Sequence, residues 1–252
     1  MSKISTTAAM IDSYTNTAIK NYVKSHDEST YFPKEMWDEL TNEMDIFLPI
    51  LSEENHILSS NFITFIRKIA NEFAALSAIL LTQGCYGIYS ILNFGTAEQK
   101  ELYLEKLLKG QYIGGLGFCE YKHLKGLEDL ETYATKTEQG WCLSGEKAMI
   151  SNSSVADILL VLAKVKEQGK VEKYGLFIID PKDSDVLIGE QIEKPGLIGL
   201  PLSSVTLKNV LLPENALLGD ELAGDVQFAN IIKNMQLGLS AIALGVAEGA
   251  FQ

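Results

Sequence analysis

Gly140-Trp-Cys-Leu-Ser-Gly-Glu-Lys-Ala-Met-Ile-Ser-Asn-Ser-Ser-Val-Ala-Asp157 is the stretch on which the reading of the fold turns. Trp141 and Leu143, then Met149 and Ile150, have the character of strand residues. Ser144-Gly145-Glu146-Lys147 between them supplies a Gly-containing hairpin turn. Ser151 and Asn152 close the segment. Taken alone, it is a surface hairpin whose Ser and Asn satisfy local backbone groups, as these residues commonly do beside turns.

Outward from this stretch, the chain divides by texture. Upstream, Phe62, Phe65, Ile66, Ile69, Phe73, Leu76 and Leu80 recur at steps of three and four, which predicts a helix packed on one side. A further helix is expected to begin at Thr96, where a hydroxyl precedes Glu98 and the run Leu102, Leu104, Leu107, Leu108. Phe32-Pro33-Lys34-Glu35-Met36-Trp37 gives an earlier start, with Pro placed in the first turn. Residues 1–113 therefore read as an N-terminal helical domain. From 114 to 219 short apolar runs bounded by Gly, Pro and Ser take over, among them Ile158–Ala163, Gly175–Ile179 and Val205–Leu212, and predict a middle β-domain. In 220–252 the stripe Val226, Ile232, Met235, Leu239, Ile242, Val246 predicts a helix that runs to the last residues.

Composition narrows the function classes. With 252 residues, 46% of them hydrophobic, the chain is long enough for a sizeable core. A formal net charge of -12 with no Lys/Arg cluster argues against nucleic acid and anionic membrane surfaces, and for small-molecule or protein partners. Cys85, Cys119 and Cys142 are odd in number and lack CxxC spacing, so reduced thiols in a cytoplasmic setting are expected, with no disulfide framework. His26, His56 and His123 are scattered and read as surface residues, so no metal site is expected. The first residues lack the basic end and apolar core of a signal peptide. No uncharged run is read as long enough for membrane insertion, which needs roughly 18 residues. Gly114-Gly115-Leu116-Gly117 lacks full G-x-G-x-x-G spacing, and its glycines are expected to give the backbone room.

Two further segments stand in a telling order around Gly140–Asp157. Gly95-Thr-Ala-Glu-Gln-Lys-Glu-Leu-Tyr-Leu lies upstream and Val210-Leu-Leu-Pro-Glu-Asn-Ala-Leu-Leu-Gly downstream. Together, over about residues 30 to 252, they resemble the acyl-CoA dehydrogenase family. Its members carry a G-T-x-E-Q-K helix start, a T-E-P-x-x-G-S-D loop, an N-G-x-K-x-W-I-T-N hairpin and a V-x-V-P-x-x-N-L-L-G strand end. The resemblance implies an α+β fold, with an N-terminal helical domain, a β-barrel-like middle domain and the first helix of a C-terminal helical bundle. It also implies FAD as cofactor and an acyl-CoA or acyl-carrier thioester as substrate. A carboxylate takes the α-proton while the β-hydrogen leaves as hydride to flavin N5. A homo- or hetero-oligomer is expected.

Carried over residue by residue, the resemblance assigns the flavin side of the site to Leu116, Phe118, Cys119, Lys125, Met149, Ile150 and Ser151. Glu120 matches the glutamate of the loop, Cys119 stands at its threonine and Tyr121 at its proline. Lys125-Gly126 stand at the Ser-Asp pair near the phosphates, while a solvated loop lysine like Lys122 is the plain alternative for Lys125. Met149 stands at the tryptophan that covers the flavin, and Ile150 and Ser151 at the Ile-Thr facing its N5 edge. A thiol in place of the threonine hydroxyl weakens a hydrogen bond worth about 0.5–1.5 kcal/mol net.

No catalytic residue is identified. The resemblance places the base either in helices that would follow residue 252 or at positions matching Met235 and Gln236, neither of which is titratable. Two functions follow from this. One is a truncated or split FAD-dependent dehydrogenase whose partner chain supplies the base. The other is a catalytically silent scaffold that keeps the fold without flavin chemistry.

Overall fold

The longest uncharged stretch of the chain forms the spine of its helical half. In the computed structural model, which describes residues 3–26, 31–52, 58–122, 125–165 and 172–251, helix α1 (Lys3–Tyr14) widens into a π-helical segment (Thr15–Ile19) and continues as α2 (Lys20–His26). A short α3 (Lys34–Asp38) follows. Pro33 precedes this helix as its N-cap instead of sitting in its first turn, and its carbonyl accepts the Trp37 N–H at 3.0 Å. His56 and His123 lie outside the described residues, as does the side chain of His26.

The single helix expected over Phe62 to Leu80 is two helices. α4 (Ser60–Glu72) is capped by Ser59 and is amphipathic, burying Phe62, Phe65, Ile66 and Ile69. At Phe73 the backbone opens to φ -144°, ψ 86°, and α5 (Ala74–Thr82) starts afresh, buried from Ala75 to Thr82. The apolar period runs unbroken across the junction because α5 is enclosed on every side, so periodicity alone does not register the break. α5 passes through wide turns (Gln83–Tyr89) into α6 (Ser90–Phe94). Ala74–Phe94 corrects the expectation about uncharged runs: it is 21 residues long and apolar enough to span a membrane by length and composition, but 94% of its apolar window is buried inside the fold. α7 (Ala97–Leu108) begins where Thr96 predicts, with a complete capping box closed by Gln99.

Seven strands form one curled sheet: β1 (Gly114–Gly117), β2 (Tyr133–Thr137), β3 (Gly140–Ser151), β4 (Ile158–Val165), β5 (Lys173–Ile179), β6 (Val186–Ile188) and β7 (Leu202–Pro213). The order is β1-β4-β2-β3-β7-β6, with β5 paired to β4. β4 is buried on both faces and divides two cores. Ile158, Leu160 and Leu162 face the helices, while Leu159, Val161 and Ala163 fill the inside of the curl with Phe177 and Val205.

The expected turn at Ser144–Lys147 is absent. β3 runs straight through it for twelve residues, and the chain reverses instead at Glu138-Gln139, between β2 and β3. Gly145 serves close approach: a Cβ there would lie 2.6 Å from the Thr132 Cα, and its φ is +147°. Two β-bulges take up the irregularity against β7, one between Leu143 and Gly145 and one between Lys147 and Ile150.

The chain ends in α8 (Gly224–Ala250), which packs on α4, α5 and β5. Its buried face keeps Met235 and Ile242 of the predicted stripe and otherwise departs from it. Gln227, Ile231, Asn234, Met235, Gly238, Ala241, Ile242 and Gly245 point inward, whereas Val226, Leu239 and Val246 are exposed. Glycine explains the difference, since a Cβ at Gly245 would meet the Arg67 carbonyl oxygen at 2.2 Å and one at Gly238 would meet Leu81 at 2.1 Å. At Gly245 α8 lies against the α4 backbone itself, so glycines share the inward face with Ile231, Met235 and Ile242, and several large apolar residues lie on the opposite side.

Candidate functional site

β1 ends at Gly117, and the segment that leaves it, Phe118-Cys119-Glu120, forms the floor of an open cleft of about 460 Å³ between the sheet and α8. That size falls within the range of roughly 300–1,000 Å³ typical of small-molecule sites. Leu127, Leu130, Leu162 and Phe228 give it apolar walls, and Lys122 and Lys125 stand among its lining. Phe118 packs at 5.1 Å from the Phe228 ring and edge-on to Tyr86 at 6.5 Å, so an aromatic row joins the central helix, the floor and α8.

A buried ion pair lies beneath the floor. Lys147 points inward from β3, its side chain fully buried, and its ammonium donates to Glu120 Oε1 at 2.8 Å; the Glu120 side chain is 4% exposed. Glu120 also accepts the backbone N–H groups of Glu131 at 2.8 Å and Thr132 at 3.0 Å. Burial pushes Lys147 down to about 8, against the pull of Glu120. Burial works against ionisation of Glu120 as well, but the Lys147 ammonium and the hydrogen bonds to its carboxylate outweigh it, and its pKa is lowered. Cys119 beside them is raised, first by burial, with Lys147 opposing. A neutral, half-buried thiol is a poor nucleophile.

Gly117 makes room for this pair. A Cβ there would lie 3.2 Å from the Lys147 Cγ and 3.0 Å from the Ile150 Cδ1. Gly114 likewise allows contact with Gly87, and Gly115 with the Ser151 carbonyl. The small residues of β1 therefore serve neighbouring protein atoms.

Next to Lys147 the β3 bulge turns Met149 into the left-handed region at φ 52° and thrusts its side chain, 57% exposed, into the mouth of the cleft. Of the seven residues expected at the flavin side, Phe118, Cys119, Lys125 and Met149 line this one cleft. Leu116 and Ile150 lie behind it, 2% and 1% exposed, in the helical and sheet cores respectively. Ser151 ends β3, half-buried and paired with Leu202. Met235 is buried and Gln236 exposed on α8.

Sequence reasoning did not bring out Leu127, Leu130, Leu162 and Phe228 as walls, or Lys147 as a buried partner of Glu120. The signal for Lys147 is the lysine of the N-G-x-K-x-W-I-T-N hairpin, two residues before Met149, which does not tell which carboxylate it meets.

The lining suits a planar, mostly apolar ring with an anionic tail. The walls are aliphatic and aromatic, and the buried carboxylate is already neutralised by Lys147. The cations of the lining are Lys125, beside the turn at Leu127–Asp129, and Lys122, which pairs with Glu131 on the surface at 2.9 Å.

Comparison with known proteins gives the same frame. The N-terminal domain model of acyl-CoA dehydrogenase matches residues 4–111 and the middle domain model matches residues 115–210. An acyl-CoA dehydrogenase of Bacillus subtilis (strain 168) is 31% identical over 194 residues, covering 76% of this chain and 51% of the relative. The solved structure of butyryl-CoA dehydrogenase from Megasphaera elsdenii superposes with a TM-score of 0.87 at 24% identity, over 99% of this chain and 67% of that one. A glutaryl-CoA dehydrogenase from Mycobacterium smegmatis, solved in complex with FADH2, gives 0.83 at 22%, over 99% and 64%. The chain spans 51% to 60% of the length of the first curated relatives it matches.

Proposed function

The chain belongs to the acyl-CoA dehydrogenase family, and from that premise we propose that its cleft is the flavin side of an acyl-thioester dehydrogenase site. One observation carries the reading: the β3 bulge holds Met149 in a costly left-handed backbone at the mouth of the only cleft, among the described residues, that gathers Phe118, Cys119 and Lys125 with it.

In this reading Met149 covers one face of the ring, and Phe118 and Cys119 support it from the floor. Lys125 contacts the phosphates, a charge-assisted bond in place of the neutral one the family motif supplies. Leu116 and Ile150 set the floor from behind, and Ser151 offers its hydroxyl at the end of β3. FAD, when bound, supplies the hydride acceptor for α,β-dehydrogenation of an acyl-CoA or acyl-carrier thioester. The apolar walls exclude water and orient the acyl group.

Proton abstraction needs a base with a titratable group in reach. Among the described lining residues the one carboxylate is Glu120, and Lys147 holds it ionised with a lowered pKa, which makes it a weak base. Met235 and Gln236 have no proton to exchange. In the dehydrogenase reading the α-proton is therefore taken by a carboxylate outside this lining, such as one from a partner chain. The same observation favours a second reading, a catalytically silent member that binds ligand or partner without turnover.

The visible absorbance of the purified chain with FAD, then with a short acyl-CoA, separates the readings. A bound flavin that bleaches supports the dehydrogenase. A bound flavin that stays oxidised supports the silent member, and no FAD binding at all overturns the flavin site.

A further inference from the structure

A fully buried lysine paired to a buried glutamate is an expensive way to hold a fold together. Replacing such a pair by apolar residues of similar volume is often neutral or stabilising. What an ion pair adds is direction, because its charge-assisted hydrogen bond fixes both length and angle between the segments it joins.

Here it joins three segments. Lys147 belongs to β3, Glu120 to the exit from β1, and the Glu131 and Thr132 N–H groups that Glu120 accepts lie at the entry to β2. The Ala148 N–H donates to the Cys119 carbonyl at 2.9 Å, so the backbone on either side of the pair is locked too. The residue that follows is Met149, bulged out at φ 52°. Two tethers therefore end just before the strained position, and the pairing of Ile150 with Ser203 resumes just after it.

We propose that the Glu120–Lys147 pair is a positioning device: it clamps the β3 bulge against the cleft floor and so fixes Met149 in the orientation that forms one wall of the ligand site. The part of the inference that concerns flavin rests on the function proposed above; the part that concerns Met149 does not.

The test uses the full chain carrying Glu120→Gln with Lys147→Met, which nearly keeps both volumes and leaves the Gln carbonyl to accept one of the two backbone N–H groups. The first readout is independent of any ligand. A residue at positive φ gives a strong intraresidue HN–Hα NOE, and in the wild type Met149 is expected to show it with a single methyl resonance. In the folded double variant the NOE is expected to weaken and the methyl signal to split or broaden. The second readout is FAD affinity, expected to fall about tenfold, equivalent to about 1.4 kcal/mol.

A folded double variant that keeps the Met149 NOE and single methyl signal overturns the proposal, as does an unchanged affinity where the wild type binds FAD. A wild type that binds no FAD but whose Met149 is released in the variant refutes the flavin site and leaves the clamp standing. If the double variant does not fold, Glu120→Gln alone carries the same readouts. If neither variant folds, the pair is a determinant of the fold and the positioning role is refuted.

Discussion

Met149 sits at φ 52°, a region that costs an ordinary L side chain about 1–2 kcal/mol. Met149→Gly is expected to raise stability by about 0.5–1 kcal/mol, the relief of strain less the entropy that glycine loses on folding. The same change removes the cleft wall, so FAD affinity falls while the melting temperature rises; a variant that loses both, or gains both, contradicts the assignment. Lys147 makes a second residue-scale prediction through pH. Its folded pKa is about 8 against an ordinary 10.5, so between those values the unfolded chain holds a proton that the folded one has released. Stability contributed at this site therefore rises with pH across that window, with a limiting slope of about 1.4 kcal/mol per pH unit, and is flat below it. Urea unfolding of the wild type against the Glu120→Gln/Lys147→Met variant reads this slope; a constant difference from about pH 8 to about 10.5 shows that Lys147 does not titrate there.

At the scale of elements, one side chain makes most of the hydrogen bonds that join α7 to the segment after β7, and Glu98 adds one from the Asn215 amide. Gln99 closes the capping box with Thr96, donates to the Asn215 and Leu217 carbonyls at 2.8 and 2.7 Å, and accepts the Gly219 N–H at 3.0 Å. Thr96→Ala is expected to cost about 1 kcal/mol, the usual loss for an N-cap. Gln99→Met is expected to cost roughly 3 kcal/mol, because it leaves several buried backbone groups unpaired. Chemical denaturation orders the two; equal losses mean that the contacts beyond the cap carry no weight. The start of α7 was legible because a capping box is local chemistry written in consecutive residues. The turn placed at Ser144–Lys147 was not, since a glycine that allows two strands to approach looks the same in sequence as one that turns a chain. α8 was legible as a helix and its face only in part, at Met235 and Ile242, because its packing also uses Gly238 and Gly245, which carry no hydrophobic signal.

At the scale of the whole molecule, the outer face of α8 is apolar. Val226, Leu237, Leu239, Leu244 and Val246 are 44% to 58% exposed and Phe251 is 94% exposed. Apolar surface grouped in this way marks an interface or an aggregation liability. Sedimentation velocity is expected to show self-association that Leu239→Glu with Leu244→Glu reduces, and a monodisperse wild-type monomer contradicts it. The fold was legible at this scale because three motifs occur in order and at the right separation. The site was legible only in part. Phe118, Cys119, Lys125 and Met149 lie on the motif-bearing segments, whereas Leu162 and Phe228 reach the cleft through tertiary packing that no local pattern encodes. Glu120 and Lys147 are 27 residues apart and meet only when β1 and β3 are in place.

The most direct measurement is a crystal structure of the chain grown with saturating FAD. The account predicts the ring in the cleft with Met149 against its face, the Glu120–Lys147 pair intact beneath the floor, and the phosphates directed to Lys125. FAD bound elsewhere, or a cleft without it at saturation, contradicts the account.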